Sequence, residues 1–209
     1  MDMAFVESKL KKDLQSVFNA MKNQNKDDAY FAEGLAKACK DFGESGDIVT
    51  TDGGTVSAGV FVGSGKGSLT LDDSLMANPI KTCCTQMKNG QGDDTTLANA
   101  IGNGILAMTN AGEVNTNVTG VTTSPQGSPV PPSSGSAKGK IACVNTSLIS
   151  GLIKCFKDMK DKYADEGFDG DALFAGQLAS LVNSYFKQGT IATNGTGALS
   201  GSAGSGTIT

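Results

Sequence analysis

The chain has 209 residues, a net charge of −4 and a sequence pI of about 4.8. An acidic chain of this kind carries no basic field to attract DNA or RNA, and no apolar run reaches the roughly 20 residues that span a bilayer. There is no histidine, which excludes Ser/His/Asp triads, Cys/His dyads and imidazole metal sites. The N-terminal stretch MDMAFVESKLKKDL lacks the regions of a signal peptide, so synthesis in a cytosol is expected.

The first predicted element is an amphipathic helix. Its apolar residues recur at spacings of three, four, seven and eleven, which place them on one helical face. They are Leu10, Leu14, Val17, Phe18 and Met21. A polar link, NQNKDDAY, leads to a second helix that begins near Phe31 and ends at Gly46, where we expect a left-handed C-cap.

A Thr-rich strand and a closing Gly/Ser segment follow the two helices. The closing segment contains GSGKGS, residues 63–68, which is similar to a phosphate-binding loop. That loop requires G-x-x-x-x-G-K-[ST], but Gly67 follows Lys66, and Val60 stands where the first glycine belongs. We therefore predict a turn and strand at this place and no nucleotide site.

The same order of elements then recurs twice. Segments beginning at Phe31, Leu97 and Phe174 align without a gap. The matched positions are Ala32, Ala98 and Ala175; Leu35, Ile101 and Leu178; Gly46, Gly112 and Gly189; Thr50, Thr116 and Thr193; and Gly54, Gly120 and Gly197. Upstream, the first helices share the Met-Lys pairs Met21-Lys22, Met87-Lys88 and Met159-Lys160.

The sequence thus predicts an α+β fold made of three tandem copies of one unit, a helical pair followed by a short Gly/Thr-rich β-hairpin. The predicted units are residues 1–70, 71–142 and 143–209. Whether they form a ring or a line stays open. So short a hairpin is too weak to stand alone, so its strands need partners from sister units or from other chains.

Two segments are candidates for contacts between chains. A Pro-rich loop within residues 122–139 of the second unit is either a flexible loop or an extended arm that reaches across a neighbouring subunit. The last strand, GSAGSGTIT, is expected to be free for donation to a partner by strand addition.

The acidic links between the paired helices are predicted to cap the second helices. In the third unit, Asp165, Asp169 and Asp171 lie close together. Their spacing does not fit an EF-hand loop, whereas Asp at a helix start satisfies free N–H groups. Calcium binding is the alternative interpretation.

The cysteines are odd in number and show no C-x₂-C spacing. They are Cys39, Cys83, Cys84, Cys143 and Cys155. Because four of them occupy apolar positions of the repeat, we predict small buried hydrophobes. The alternative is a cross-link formed in an oxidising medium.

No unit presents a nucleophile with a base, paired carboxylates or a metal set, so we predict a protein that is not an enzyme, with no catalytic, cofactor-binding or metal site and no cofactor. Three fused copies of one surface suit a repetitive, symmetric partner.

The second half of each unit resembles uncharacterised virion proteins of tailed bacteriophages. The resemblance is carried by GEVNTNVTGVTTSPQGSPVPPSSGSAKGKI, Gly112 to Ile141, and more loosely by FGESGDIVTTDGG and FKQGTIATNGTG. It implies a structural component of the particle, made in the host cytoplasm and located in the virion.

A capsid-associated decoration or cement protein is the preferred expectation, with other virion proteins as partners and neither nucleic acid nor membrane. A neck, tail or baseplate protein is the second. From a different class, a cell-surface or carbohydrate-binding adhesin is the third.

Overall fold

The structure is a computed structural model that describes residues 6–209. Residues 1–5, the start of the N-terminal stretch and of the first predicted unit, lie outside the described residues. The fold is α+β, as predicted. Its helices are α1 (Glu7–Gln24), α2 (Asp28–Glu44), α3 (Ser74–Lys88), α4 (Asp94–Ala111), α5 (Thr146–Lys162) and α6 (Gly170–Lys187). Its strands are β1 (Ile48–Val56), β2 (Gly59–Thr70), β3 (Glu113–Thr123), β4 (Pro129–Val130), β5 (Ser134–Ala142), β6 (Thr190–Thr196) and β7 (Ser202–Ile208).

Six of the strands close into an antiparallel barrel. The order runs β2–β1–β7–β6–β5–β3, and β3 pairs back onto β2 from Thr70↔Glu113 to Val60↔Thr123. The short β4 adds to the outside of β3. Since closure leaves no open edge in the six-stranded barrel, the partners that the hairpins need come from within the chain.

The helices form a closed ring at one end of the barrel. Each helix packs against two others, in the sequence α1, α2, α3, α4, α5, α6 and back to α1. The predicted apolar face of α1 is confirmed at Leu10, Leu14, Val17 and Phe18, which are buried, while Met21 at its end is half-buried. The corresponding faces of the third and fifth helices are buried at Met76, Ile80 and Cys83 and at Leu148, Leu152, Cys155 and Phe156.

One apolar core joins the helices to the near end of the barrel. The barrel contributes a layer of inward side chains, Ile48, Leu69, Val114, Ile141, Ile191 and Ile208. A second, smaller cluster fills the far end, with Val56, Phe61, Val118, Ala137 and Leu199. Between the two clusters lie buried polar side chains, which are described below.

The expected left-handed C-caps are wrong. Gly46, Gly112 and Gly189 are not among the glycines with positive φ, and Gly112 has φ −53°. Two of these glycines provide space instead of a turn. A Cβ on Gly112 would lie 2.7 Å from Leu71 Cδ2, and one on Gly189 would lie 2.7 Å from Ile141 Cδ1. At these two junctions a larger residue would require the core side chain to shift.

The expected free terminal strand is also wrong. The last strand, β7, pairs with β1 from Ile48↔Ile208 onward and with β6 on its other side. The segment 202–208 therefore joins the first strand of the chain to the last part of the chain by strand pairing.

The Pro-rich loop does not extend as an arm. Its β4 folds back to pair with Thr122 and Thr123 of β3, and the Gly120 N–H donates to the Ser133 carbonyl over 2.8 Å. The loop therefore packs against its own strand.

Candidate functional site

The GSGKGS segment is strand throughout, so the turn expected there is wrong. Residues 63–68 lie in the middle of β2, paired with β1 on one side and with β3 on the other. The backbone N–H groups of a strand paired on both sides serve its two ladders, so they are not arranged to cradle phosphate. Lys66 is exposed on the outside of the barrel.

A buried carboxylate lies inside the barrel. In β1, alternate residues point inward, and Asp52 is 1% exposed. The Thr50 hydroxyl donates to Asp52 Oδ2 over 2.6 Å, and the Thr193 hydroxyl donates to Oδ1 over 3.2 Å. Thr116, also buried, donates to the Ala137 carbonyl over 3.4 Å. This polar layer links β1 to β6 across the barrel interior.

Glycines make room for this carboxylate. A Cβ on Gly65 would lie 3.1 Å from Asp52 Oδ2, and a Cβ on Gly204 would overlap Oδ1. The carboxylate is therefore closely packed, and it works as a hydrogen-bond acceptor between strands. Buried carboxylates need such donors, because an unpaired buried charge is unstable.

Sequence reasoning missed Asp52. The three aligned threonines of the polar layer were found, but two residues further on Asp52 stands where Val118 and Gly195 stand. This difference between the aligned segments is the sequence signal that could have identified Asp52. Its inward orientation follows from the alternation of side chains along a strand, since Asp52 lies two residues after Thr50 in IVTTDGG.

The predicted capping role of the acidic links is confirmed for one aspartate in each link; of the other acids predicted in the third unit, Asp171 lies in the first turn of α6 and Asp165 lies in the link, so neither is the N-cap. Asp27, Asp93 and Asp169 are the N-caps of α2, α4 and α6, and their side chains accept from the N–H groups of Tyr30, Thr96 and Ala172 over 2.9, 2.8 and 3.0 Å. Within residues 6–209, no group of three or more Cys, Asp or Glu side chains is arranged to hold a metal ion.

All five cysteines are free thiols. Cys39, Cys83 and Cys155 are buried in the core, as predicted, while Cys84 and Cys143 are partly exposed. Burial raises the pKa of Cys39 to about 12 and that of Cys143 and Cys155 to about 11. Because the thiolate is the reactive form, these three thiols are unreactive near neutral pH.

The Cys39→Val variant is expected to resist alkali better than the natural chain. The unfolded thiol ionises near its usual pKa of 9.0, whereas the folded one ionises near 12. Between these values the unfolded state holds fewer protons, so stability falls as pH rises. At roughly 1.36 kcal/mol per pH unit, Cys39 removes about 2–3 kcal/mol by pH 11. Val182 occupies the aligned position, so valine should fit.

Urea unfolding of both chains at pH 7, 9, 10 and 11 measures this effect. We expect similar free energies of unfolding at pH 7 and a difference that grows above pH 9 in favour of Cys39→Val. Effects of the other thiols cancel in the comparison. If the free energies of unfolding of the two chains differ by the same amount at every pH up to 11, the Cys39 thiol ionises as easily in the folded chain as in the unfolded one.

A cleft opens at the helix ends away from the barrel. It has a volume of about 840 Å³ and is lined by α5, the α5–α6 link and the start of α6. Two ion pairs border it, Lys22–Asp171 at 3.1 Å and Lys160–Asp94 at 2.6 Å. In each pair, the carboxylate raises the pKa of the lysine, chiefly through the hydrogen bond.

Among residues 6–209, the end of the molecule opposite the cleft carries no charged side chain. We call this end the barrel tip and define it as residues 53–65, 118–137 and 194–204, which contain no Asp, Glu, Lys or Arg. Three valines on neighbouring strands are exposed there, Val60, Val62 and Val121, and Val62 lies directly opposite Val121. Apolar side chains grouped on a surface in this way are typical of contact sites.

In the part of the chain that the structure covers, no helix has both the length and the hydropathy to cross a membrane. Comparison with protein-family models, with curated proteins and with solved structures gives no match to this chain.

Proposed function

We propose that the chain is three tandem units, residues 1–70, 71–142 and 143–209, arranged around one axis that runs through the helical ring and the barrel. In the described residues each unit supplies two helices and two barrel strands. The strand pairings between units, β2–β3, β5–β6 and β7–β1, follow one cyclic order, and so do the helix contacts α2–α3, α4–α5 and α6–α1.

A ring of ion pairs at corresponding positions supports this arrangement. The lysines of the three Met-Lys pairs each reach an acid of the preceding unit. The pairs are Lys22–Asp171 at 3.1 Å, Lys88–Asp28 at 2.6 Å and Lys160–Asp94 at 2.6 Å. Asp28, Asp94 and Asp171 share one position in the gapless alignment. These pairs support a third unit that contacts the first as the first contacts the second.

Three glycines at the seams between units support it independently. A Cβ on Gly67, Gly139 or Gly206 would overlap the carbonyl oxygen of Asn115, Ala192 or Val49, respectively. In each seam the closing strand of one unit meets the opening strand of the next, and the third seam joins the last unit to the first.

From this body we propose a non-enzymatic structural component of a tailed-phage virion, most specifically a capsid-associated decoration or cement protein. The observation that carries the proposal is a self-closed barrel whose tip is free of charge and exposes valines. Such a body is complete without strand exchange, and its threefold character suits a local threefold position in a lattice. The tip is the lattice-facing end, and strand addition to other virion proteins is no longer required.

The test is to band particles from an infected culture on a density gradient and to quantify this chain by mass spectrometry. Hundreds of copies per particle support the capsid role. A few to a dozen or so copies indicate a neck, tail or baseplate protein. Absence from particles contradicts the virion function and favours an adhesin.

The contact face is tested on the same particles. Val62→Asp should reduce incorporation, because it buries a charge against the lattice. Val144→Asp is the matched control, since Val144 is also exposed but lies between β5 and α5, outside the tip. If both variants are incorporated like the natural chain, the tip is not the contact face.

A further inference from the structure

The α5–α6 link makes one helix end unlike the other two. The α1–α2 and α3–α4 links, residues 25–27 and 89–93, are short and contain no aromatic residue, whereas residues 163–169 include Tyr163 and Phe168. Both aromatic side chains line the cleft of about 840 Å³, a volume within the range of ordinary ligand sites. Any ligand of this cleft therefore binds once per chain.

The inner wall of the cleft is apolar and its rim is aromatic. Phe156 is buried, Met159 and Phe168 are half-buried, and all three line the cleft. Tyr163 is 84% exposed at the rim. An extended apolar stem would pack on the inner wall, and a cation would lie against the negative faces of the aromatic rings.

The charged side chains that line the cleft favour a ligand of positive charge. Five charged side chains line the cleft, three acids and two lysines, for a net charge of −1; the acids are Asp94, Asp169 and Asp171. The lysines that border the cleft, Lys22 and Lys160, are already paired with Asp171 and Asp94. The third acid, Asp169, uses Oδ1 to cap α6 and forms no ion pair among the described residues. An anionic ligand would therefore be repelled, and a cationic one attracted.

We propose that this cleft binds a basic side chain, arginine or lysine, carried by a segment of a partner protein. The aliphatic stem lies along Phe156 and Met159, the cationic head stacks on Tyr163 and Phe168, and Asp169 supplies the opposite charge. Arginine is the better ligand, because its planar head both stacks and forms paired hydrogen bonds. This site is separate from the barrel tip and stands whether or not the chain belongs to a virion.

The experiment titrates the full chain, labelled at its methionine methyl groups, with three blocked pentapeptides that differ only in carrying two arginines, two glutamines or two glutamates. The Met159 methyl signal reports the cleft, and the fully buried Met76 reports the fold. We expect the arginine peptide to shift Met159 saturably and the glutamine and glutamate peptides to leave it in place. An equal response to the glutamine peptide, saturation by a neutral sugar such as maltose instead, or no response at millimolar arginine peptide overturns the proposal.

Two variants test the roles of Asp169 and Tyr163 in binding the arginine peptide. Asp169→Asn removes the charge and keeps a good N-cap, and it should weaken arginine-peptide binding about fivefold. Tyr163→Leu removes an exposed ring and should weaken it about threefold. Asp27→Asn is the matched control, since it makes the same change at the N-cap of α2, and it should bind like the natural chain. If Asp27→Asn and Asp169→Asn have equal effects, the cleft is not the binding site.

Discussion

The Gly206→Ala variant is expected to lose roughly 3 kcal/mol or more of its free energy of unfolding. Gly206 lies in β7, where the last strand meets the first. An added Cβ would overlap the Val49 carbonyl oxygen and lie 2.8 Å from Thr50 Cα. Both atoms belong to the backbone of β1, so no side-chain rotation relieves the overlap. The two strands must separate, and the barrel opens at this seam.

Urea unfolding followed by circular dichroism measures this loss. Gly53→Ala in β1 is the matched control, because its added Cβ meets only the Phe61 carbonyl oxygen at 3.5 Å, an ordinary contact. We expect this control to be as stable as the natural chain or slightly more stable, since alanine restricts the unfolded state. Equal stability of Gly206→Ala and Gly53→Ala would mean that the first and last strands do not pair as described.

The Leu35→Asp variant is expected to lose about 4 kcal/mol or more. Leu35 in α2 is 0% exposed, so the change removes a packed side chain and places an unpaired charge in an apolar core. The core that contains Leu35 includes side chains from all six helices. We therefore expect the whole chain to unfold together, and not residues 1–70 alone.

Thermal unfolding followed by circular dichroism at 222 nm tests this result. Ile153→Asp is the control, because Ile153 on α5 is 38% exposed and should tolerate a charge at little loss. A soluble Leu35→Asp protein with normal helix content and an unchanged transition would contradict the placement of Leu35 in the core.

The helices could be predicted well from the sequence, because an apolar face at helical spacing is a local signal. Leu10, Leu14, Val17 and Phe18 recur at that spacing, and all four are buried. The acidic N-caps could be predicted for the same reason, because a capping residue lies directly before its helix in the sequence. The closure of the barrel was not predicted, since it depends on pairings between distant segments such as Ile48↔Ile208.

The inner face of the barrel could not be predicted from the sequence, because glycine occupies several of its positions. In β2 the inward positions between Phe61 and Leu69 are Gly63, Gly65 and Gly67, so no alternation of apolar and polar residues marks the strand. The same glycines suggested a turn, because glycine is common at turns. Their role here is to let backbone and buried polar side chains approach closely.

Only part of the cleft could be predicted from the sequence. Of the acids that were predicted to cap α6, Asp169 does so, whereas Asp171 lies in the first turn of the helix. That Tyr163 and Phe168 join Phe156 around one cavity depends on the packing of α5 against α6, which a link sequence does not specify.

The pairing of β1 with β7 closes the chain on itself, and a cysteine pair tests this closure directly. Val49 and Thr207 are exposed and directly paired across this seam, at a separation suited to a disulfide. Oxidation of a Val49→Cys, Thr207→Cys chain, followed by peptide mapping and a non-reducing gel, should give a disulfide within one monomer. Disulfide-linked dimers and larger species, with no bond inside the monomer, would show that the last strand is donated between chains and would contradict the closed barrel.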